Sequence, residues 1–173
     1  EVVDQKGRSL VTSGPASYSD VEIAPVVEEA IRTGKPGVLD FRIGGDGQAY
    51  MAFVRRIYDS GAETPLALVS VAAAEDELLP MLARWPNPSR TGELLLLRAE
   101  GESILILNRN ESGRFSRFGA GDLQLPAAQA LRSGDGVYVG TDYRQREVIA
   151  AIHRVPGTSW MVSAKVETSE LMQ

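Results

Sequence analysis

Apolar positions along this chain fall into short alternating runs divided by turn residues, and the runs come in the same order twice. "VVDQKGRSLV" at 2–11 predicts two short strands about Gly7, and "LLLLRAEGESILIL" at 94–107 predicts a longer hairpin about Gly101. A helical period follows in each half. It is carried by Val26, Val27, Ala30 and Ile31 in "DVEIAPVVEEAIRTG", and by Ala127, Ala130 and Leu131 in "DLQLPAAQALRSG". Asp20 and Asp122 are the expected N-caps, Pro25 and Pro126 stand early, and Gly34 and Gly134 end the helices. The phrases Ala30–Gly34 and Ala130–Gly134 lie 100 residues apart.

Three strands come next in both halves. The first half gives "GVLDFRI", "AYMAFVRRIYD" and "PLALVSVAA"; the second gives "GVYVGTDY", "EVIAAIHRV" and "SWMVSAKVE". Each half closes on an acidic phrase running into Leu, "EDELL" and "TSELM". Hairpin, helix and three consecutive antiparallel strands make a five-stranded sheet with a helix on one face. Five elements matched in order predict a duplicated α+β fold. The expected division is a first module at 1–84, a linker at 85–92 and a second module at 93–173.

Composition narrows the function. With 43% hydrophobic and 24% charged residues, the 173-residue chain is an ordinary globular one. A net charge of −5 with no run of Lys or Arg argues against a nucleic-acid partner. Without cysteine there are no disulfides, thiolate metal sites or cysteine nucleophiles. The longest apolar run, "LLLL" at 94–97, is too short to cross a bilayer. The start at Glu1 and the ending "ETSELMQ", which reads as the beginning of a helix, suggest a piece of a longer chain.

The element order resembles a PAS-like sensor fold, and two in tandem resemble the double Cache (PDC-type) sensor domains of bacterial histidine kinases, diguanylate cyclases and chemoreceptors. "LARWPNPSRTGELLLLRAEGESILILN" at 82–108 is similar to the link and opening hairpin of such segments. "GTDYRQREVIAAIHRVPGTSWMVSAKVE" at 140–167 is similar to their closing strands. The resemblance implies two tandem PAS-like modules, a small-molecule ligand, no cofactor and no chemistry of its own. It implies a periplasmic location, with membrane contact only through segments outside this chain, and a homodimeric full-length receptor. It also implies a ligand in the membrane-distal module, here the first. The Arg-x-Trp-Tyr cluster of amino-acid-binding members is missing, so an amino-acid ligand is not expected.

Other constellations have plainer readings. "GGDG" at 44–47 resembles a cyclase signature, but Gly47 stands where a metal-holding acid is needed, so a turn is expected. His153 is the single histidine, no G-x-S-x-G elbow exists, and the residue reads as a core or pocket-wall histidine. Asp40 and Asp142 fall in different modules, which argues against an acid/base pair. Trp85, between a helix and prolines, reads as a wedge between modules; Ser89-Arg90-Thr91 reads as a pin for the start of the second.

A binding site remains. In the first module Asp40, Arg42, Tyr50, Arg55 and Tyr58 stand among apolar neighbours, as in a small-molecule pocket. Arg55 or Arg42 would hold a carboxylate and Asp40 an amine. Solvated strand edges or a salt bridge account for the same charges equally well. In the second module Tyr138, Asp142, Tyr143 and His153 form a comparable, poorer set, and Trp160 reads as core. The expected function is extracytoplasmic ligand sensing; the alternative is a cytoplasmic PAS-type interaction domain without a small ligand, marked by an exposed apolar patch.

Overall fold

A computed structural model describes residues 1–12, 18–44, 48–58, 64–83, 89–108 and 115–172. The chain divides into two compact units, Glu1–Leu78 and Leu79–Gln173.

In the first unit β1 (Val2–Val3) and β2 (Ser9–Val11) form the hairpin about Gly7. Helix α1 (Asp20–Thr33) comes next, then β3 (Gly37–Ile43), β4 (Ala49–Ile57), β5 (Leu66–Ala73) and the single turn α2 (Ala74–Glu77). The sheet is antiparallel, in the order β2-β1-β5-β4-β3. Ile23, Val27 and Ala30 of α1 pack on Val3, Leu39, Ala52, Val54, Ala67 and Val69. Each large side chain buried this way contributes about 1.5–3 kcal/mol.

The helix is capped one residue earlier than its sequence suggests. Ser19 is the N-cap, and the Glu22 carboxylate accepts from the Ser19 N–H at 2.8 Å and its hydroxyl at 2.6 Å. Ser19 and Glu22 stand at capping-box spacing, which outweighs Asp20 as a candidate. At the other end Gly34 takes φ 71° and its N–H donates to the Ala30 carbonyl.

The second unit opens with α3 (Leu79–Leu82), then β6 (Glu93–Glu100), β7 (Ser103–Ile106), β8 (Ser116–Gly119), α4 (Pro126–Ser133), β9 (Gly136–Thr141), β10 (Glu147–Arg154), β11 (Trp160–Glu167) and α5 (Thr168–Leu171). The sheet order is β8-β7-β6-β11-β10-β9. Leaving out β8, this is the order of the first unit, strand for strand. The duplication is therefore topological as well as sequential.

Two expectations need correction here. The second sheet has six strands among the described residues, not five, because "SRFG" pairs with β7 from Ser103↔Gly119 to Ile106↔Ser116. One apolar residue in four gave no strand signal; the open edge of β7 supplies the pairing instead. Phe118 turns inward, while Arg117 pairs with Glu100 at 2.5 Å. Asp122 is also not the cap of α4. Leu125 is the N-cap, Pro126 opens the helix, and Asp122 accepts from the Gln124 N–H at 3.1 Å in the turn before it.

Gly45, Asp46 and Gly47 of the expected turn, and Trp85 of the expected wedge, lie outside the described residues. The Gly44 N–H donates to the Gln48 carbonyl at 2.8 Å, next to the last β3–β4 pair, Ile43↔Ala49. No helix of the described residues is long and apolar enough to cross a membrane.

Candidate functional site

The structure spreads the five first-unit candidates over different surroundings. Register between β3 and β4 slips between Leu39 and Arg42, so Asp40 and Phe41 together stand opposite Met51. The hydroxyl of buried Tyr18 donates to the Asp40 carbonyl at 2.9 Å and the Tyr50 carbonyl at 2.8 Å. Asp40 is exposed and its carboxylate accepts from the Phe41 N–H at 2.6 Å. Arg42 pairs with Glu22 of α1 at 2.6 Å, both side chains half exposed. Tyr50 packs against the core. Asp40, Arg42 and Tyr50 thus meet around one bulge.

Arg55 and Tyr58 do not join them. Arg55 alternates with Met51 and Phe53 on the sheet face away from α1, and Tyr58 is exposed beneath the Arg56 guanidinium, 4.5 Å from its ring centre. The α1-facing side is filled by Val27, Ala52, Val54 and Val69.

The second unit differs at the same places. Opposite Ala52 on β5 stands Val71, and opposite Val54 stands Val69; the matching pairs on β11 are Lys165 opposite Ala150 and Ser163 opposite Ile152. On the helix, Ala127 stands 100 residues after Val27. Two valines have become Lys and Ser, and a third has become Ala.

A cavity of about 40 Å³ lies there, between the sheet and the start of α4. Its walls are Leu95, Leu97, Ile104 and Ile106 of β6 and β7, Ala150 of β10, and Leu125, Pro126 and Ala127. Phe118 of the added strand β8 closes one side, its ring centre 6.0 Å from that of Tyr143. Asp142, Tyr143, Ser163 and Lys165 supply the polar lining.

Those polar groups form one buried cluster. The Lys165 ammonium donates to Asp142 Oδ2 and lies 2.9 Å from Glu93 Oε2. Asp142, Ser163 and Lys165 are each no more than 5% exposed. Asp142 Oδ1 accepts from the Arg144 N–H at 2.7 Å and the Arg146 N–H at 3.0 Å. Burial pushes the Asp142 carboxyl up, but the Lys165 ammonium and those two N–H groups outweigh it and hold it below the usual range. The Tyr143 hydroxyl donates to Glu93 Oε1 at 2.8 Å, and Arg144 reaches the same oxygen at 3.2 Å. Burial, helped by that bond to Glu93, pushes the Tyr143 hydroxyl well above the ordinary phenol range.

Two groups in the cluster keep unused capacity. Glu93 Oε2 is buried and beside Lys165, but lies outside hydrogen-bonding angles. Ser163 is buried and lines the cavity, and its side-chain hydroxyl makes no hydrogen bond among the described residues.

A close backbone approach places α4 over this space. The carbonyl of Gln124 accepts from the Thr141 N–H at 2.8 Å and sits where a Cβ on Gly140 would be, 2.1 Å away. Glycine at 140 lets the segment before α4 lie directly on β9.

Of the second-unit candidates, Asp142 and Tyr143 line the cavity and the other two do not. Tyr138 packs against the core and donates to the Gly134 carbonyl at 2.7 Å. His153 is not in the core or a pocket wall as expected: its side chain is 76% exposed and pairs with Asp135 at 2.5 Å. Its neighbour Ile152 faces inward, so strand alternation turns His153 outward. Trp160 is buried at the start of β11.

The expected pin of the second unit is present. Glu170 of α5 accepts from Ser89 Oγ at 3.1 Å and from the N–H groups of Arg90 and Thr91 at 2.9 Å each, and also from the Thr91 hydroxyl. Those bonds, the Thr91 hydroxyl first, lower its pKa to about 2.

No family model and no curated protein matches the chain. Among solved structures it is similar to the ligand-binding domain of the Pseudomonas aeruginosa PAO1 amino acid chemoreceptor PctB in complex with L-Gln. The TM-score is 0.56 at 11% identity, over 98% of this chain and 67% of that one. An extracellular domain assigned to a histidine kinase (rpHK1S-Z16) matches with a TM-score of 0.55 at 18% identity, over 99% of this chain and 71% of that one. An extracellular ligand-binding receptor from Desulfohalobium retbaense matches with a TM-score of 0.57 at 17% identity, over 95% of this chain and 29% of that one. The chain has the fold of these extracellular sensor domains, as its resemblance to double Cache domains implies, and spans only part of their length.

Proposed function

We propose that this chain is the extracytoplasmic ligand-sensing segment of a membrane-bound signalling protein, built of two PAS-like modules at 1–84 and 93–173. It binds a small molecule in the second module, does no chemistry itself, and passes a conformational change to an output module outside the chain. The observation that carries this reading is the second-unit cavity, lined by buried Asp142, Ser163 and Lys165. Apolar walls with a few directed polar groups are the expected make-up of a ligand site. Unsatisfied buried polar groups cost stability, and they persist where a ligand completes them.

The site is therefore in the second module and not around Asp40, Arg42, Tyr50, Arg55 and Tyr58. At about 40 Å³ it holds something much smaller than the L-Gln bound by PctB. Ser163 and Lys165 sit on β11, which runs directly into α5. A ligand touching β11 favours one packing of that strand, and its differential affinity biases the exit at α5.

A thermal-shift screen of the 173-residue chain against small metabolites tests this. A ligand at about 100 times its Kd stabilises its fold by about 2.7 kcal/mol, a shift of a few degrees. The stabilisation is expected to vanish in Ala127→Val, which refills the cavity, and to survive in Arg55→Ala. Loss in Arg55→Ala with retention in Ala127→Val would return the site to the first module.

One observation favours the second reading, an interaction module, for the first unit. Val38, Phe53 and Leu68 are exposed with Arg55 on one sheet face. A screen without any hit would turn the account toward that surface.

A further inference from the structure

We propose that the second-unit cavity selects a small neutral molecule with one hydroxyl or carbonyl oxygen, of the size of a three-carbon alcohol or ketone. This deepens the sensor reading above and rests on its placement of the ligand.

Size comes first. A cavity of about 40 Å³ takes only a small occupant. Most of the lining is aliphatic or aromatic carbon, from Leu95, Leu97, Ile104, Ile106 and Phe118. The occupant is mostly apolar.

Charge then decides its class. A lysine in a pocket ordinarily suggests an anion, but Lys165 is already held by two carboxylates, Asp142 and Glu93. Lys165 with Asp142 and Glu93 sums to −1, and the half-exposed Arg144 beside Glu93 brings the group to zero. A carboxylate ligand would add an uncompensated negative charge next to Asp142 and Glu93 in a largely buried site. An ammonium ligand would stand against Lys165 instead. A neutral ligand meets neither repulsion.

Hydrogen bonding supplies the rest. The Ser163 hydroxyl has no partner among the described residues, and the Lys165 ammonium, hydrogen-bonded to Asp142 Oδ2 and only ion-paired with Glu93 Oε2, keeps donor capacity for a ligand. Both residues project from one face of β11, two positions apart, into the same cavity. A single ligand oxygen accepting from both satisfies them, with its methyl groups against Ala127 and Ala150.

Four probes of equal size separate the charge classes: 2-propanol, acetone, acetate and isopropylammonium. Each is titrated into the methyl-labelled chain and followed by NMR at Ala127, Ala150 and Ile104, with exposed Val137 as a control for solvent effects. A ligand this small binds no tighter than about tens of micromolar, so titrations extend to tens of millimolar. The proposal expects saturable shifts of the cavity methyls with 2-propanol or acetone, and none with acetate or isopropylammonium. Ala127→Val should abolish the shifts, and Ser163→Val should weaken binding about five- to tenfold. Tighter binding of acetate or isopropylammonium than of the neutral probes would overturn the selectivity and leave the sensor reading standing. No saturable shift with any probe would overturn the proposal; the sensor reading fails separately, if the metabolite screen yields no ligand that Ala127→Val removes.

Discussion

Lys165→Met would leave the Asp142 and Glu93 carboxylates facing each other without the ammonium between them. Removing one partner of a buried pair costs about 3–5 kcal/mol, so urea unfolding of the second unit should shift by that amount. Ser163→Val should move stability little, because it removes a hydroxyl that already lacks a partner. At the β3–β4 bulge, Tyr18→Phe removes the hydroxyl that donates to the Asp40 and Tyr50 carbonyls and should cost about 0.5–1.5 kcal/mol. Residues of the site were unevenly legible. Asp142 and Tyr143 stood out as polar groups in an apolar neighbourhood. Ser163 and Lys165 did not, because in "WMVSAKVE" they alternate with Val162, Ala164 and Val166. Alternation ordinarily turns the polar set outward, and here it faces the helix. Glu93 was hidden for a different reason: its partners lie about 50 and 70 residues away, beyond any local pattern.

Among the elements, the segment before α4 depends on Gly140. In Gly140→Ala the new methyl meets the Gln124 carbonyl, and the backbone must part. A loss of several kcal/mol is expected, and a ligand's thermal shift should be lost even where the variant folds, because the cavity wall moves. The α5 clasp carries a pH dependence. Glu170 has a pKa of about 2 against an ordinary 4.5, so the clasp is fully made above about pH 4.5 and fades as pH falls toward 2. Amide exchange at Thr168–Leu171 should quicken over that window, and Glu170→Gln should remove the transition. Element order was readable because the chain states it twice. Strand β8 was not, since its pairing comes from the free edge of β7 and not from its own composition. The cap at Ser19 was legible in its spacing to Glu22, and a neighbouring aspartate obscured it.

At the scale of the molecule, two units share one topology and have diverged in their cores. The first has Val69 and Val27 in its core where the second carries Ser163 and Ala127 beside a cavity, and Lys165 stands buried where the first has the exposed Val71. On the proposed reading, ligand binding belongs to the copy with the cavity under α4. The sequence repeat disclosed the duplication, yet the divergence was visible only once pairing register showed which valines and polar residues correspond. The measurement that tests this most directly is hydrogen–deuterium exchange of the whole chain, with and without the compound that stabilises it best. The account predicts protection in β6, β10, β11 and the start of α4, with β3 and β4 unchanged. Protection centred on Asp40, Arg42 and Tyr50, with β11 unchanged, would contradict it.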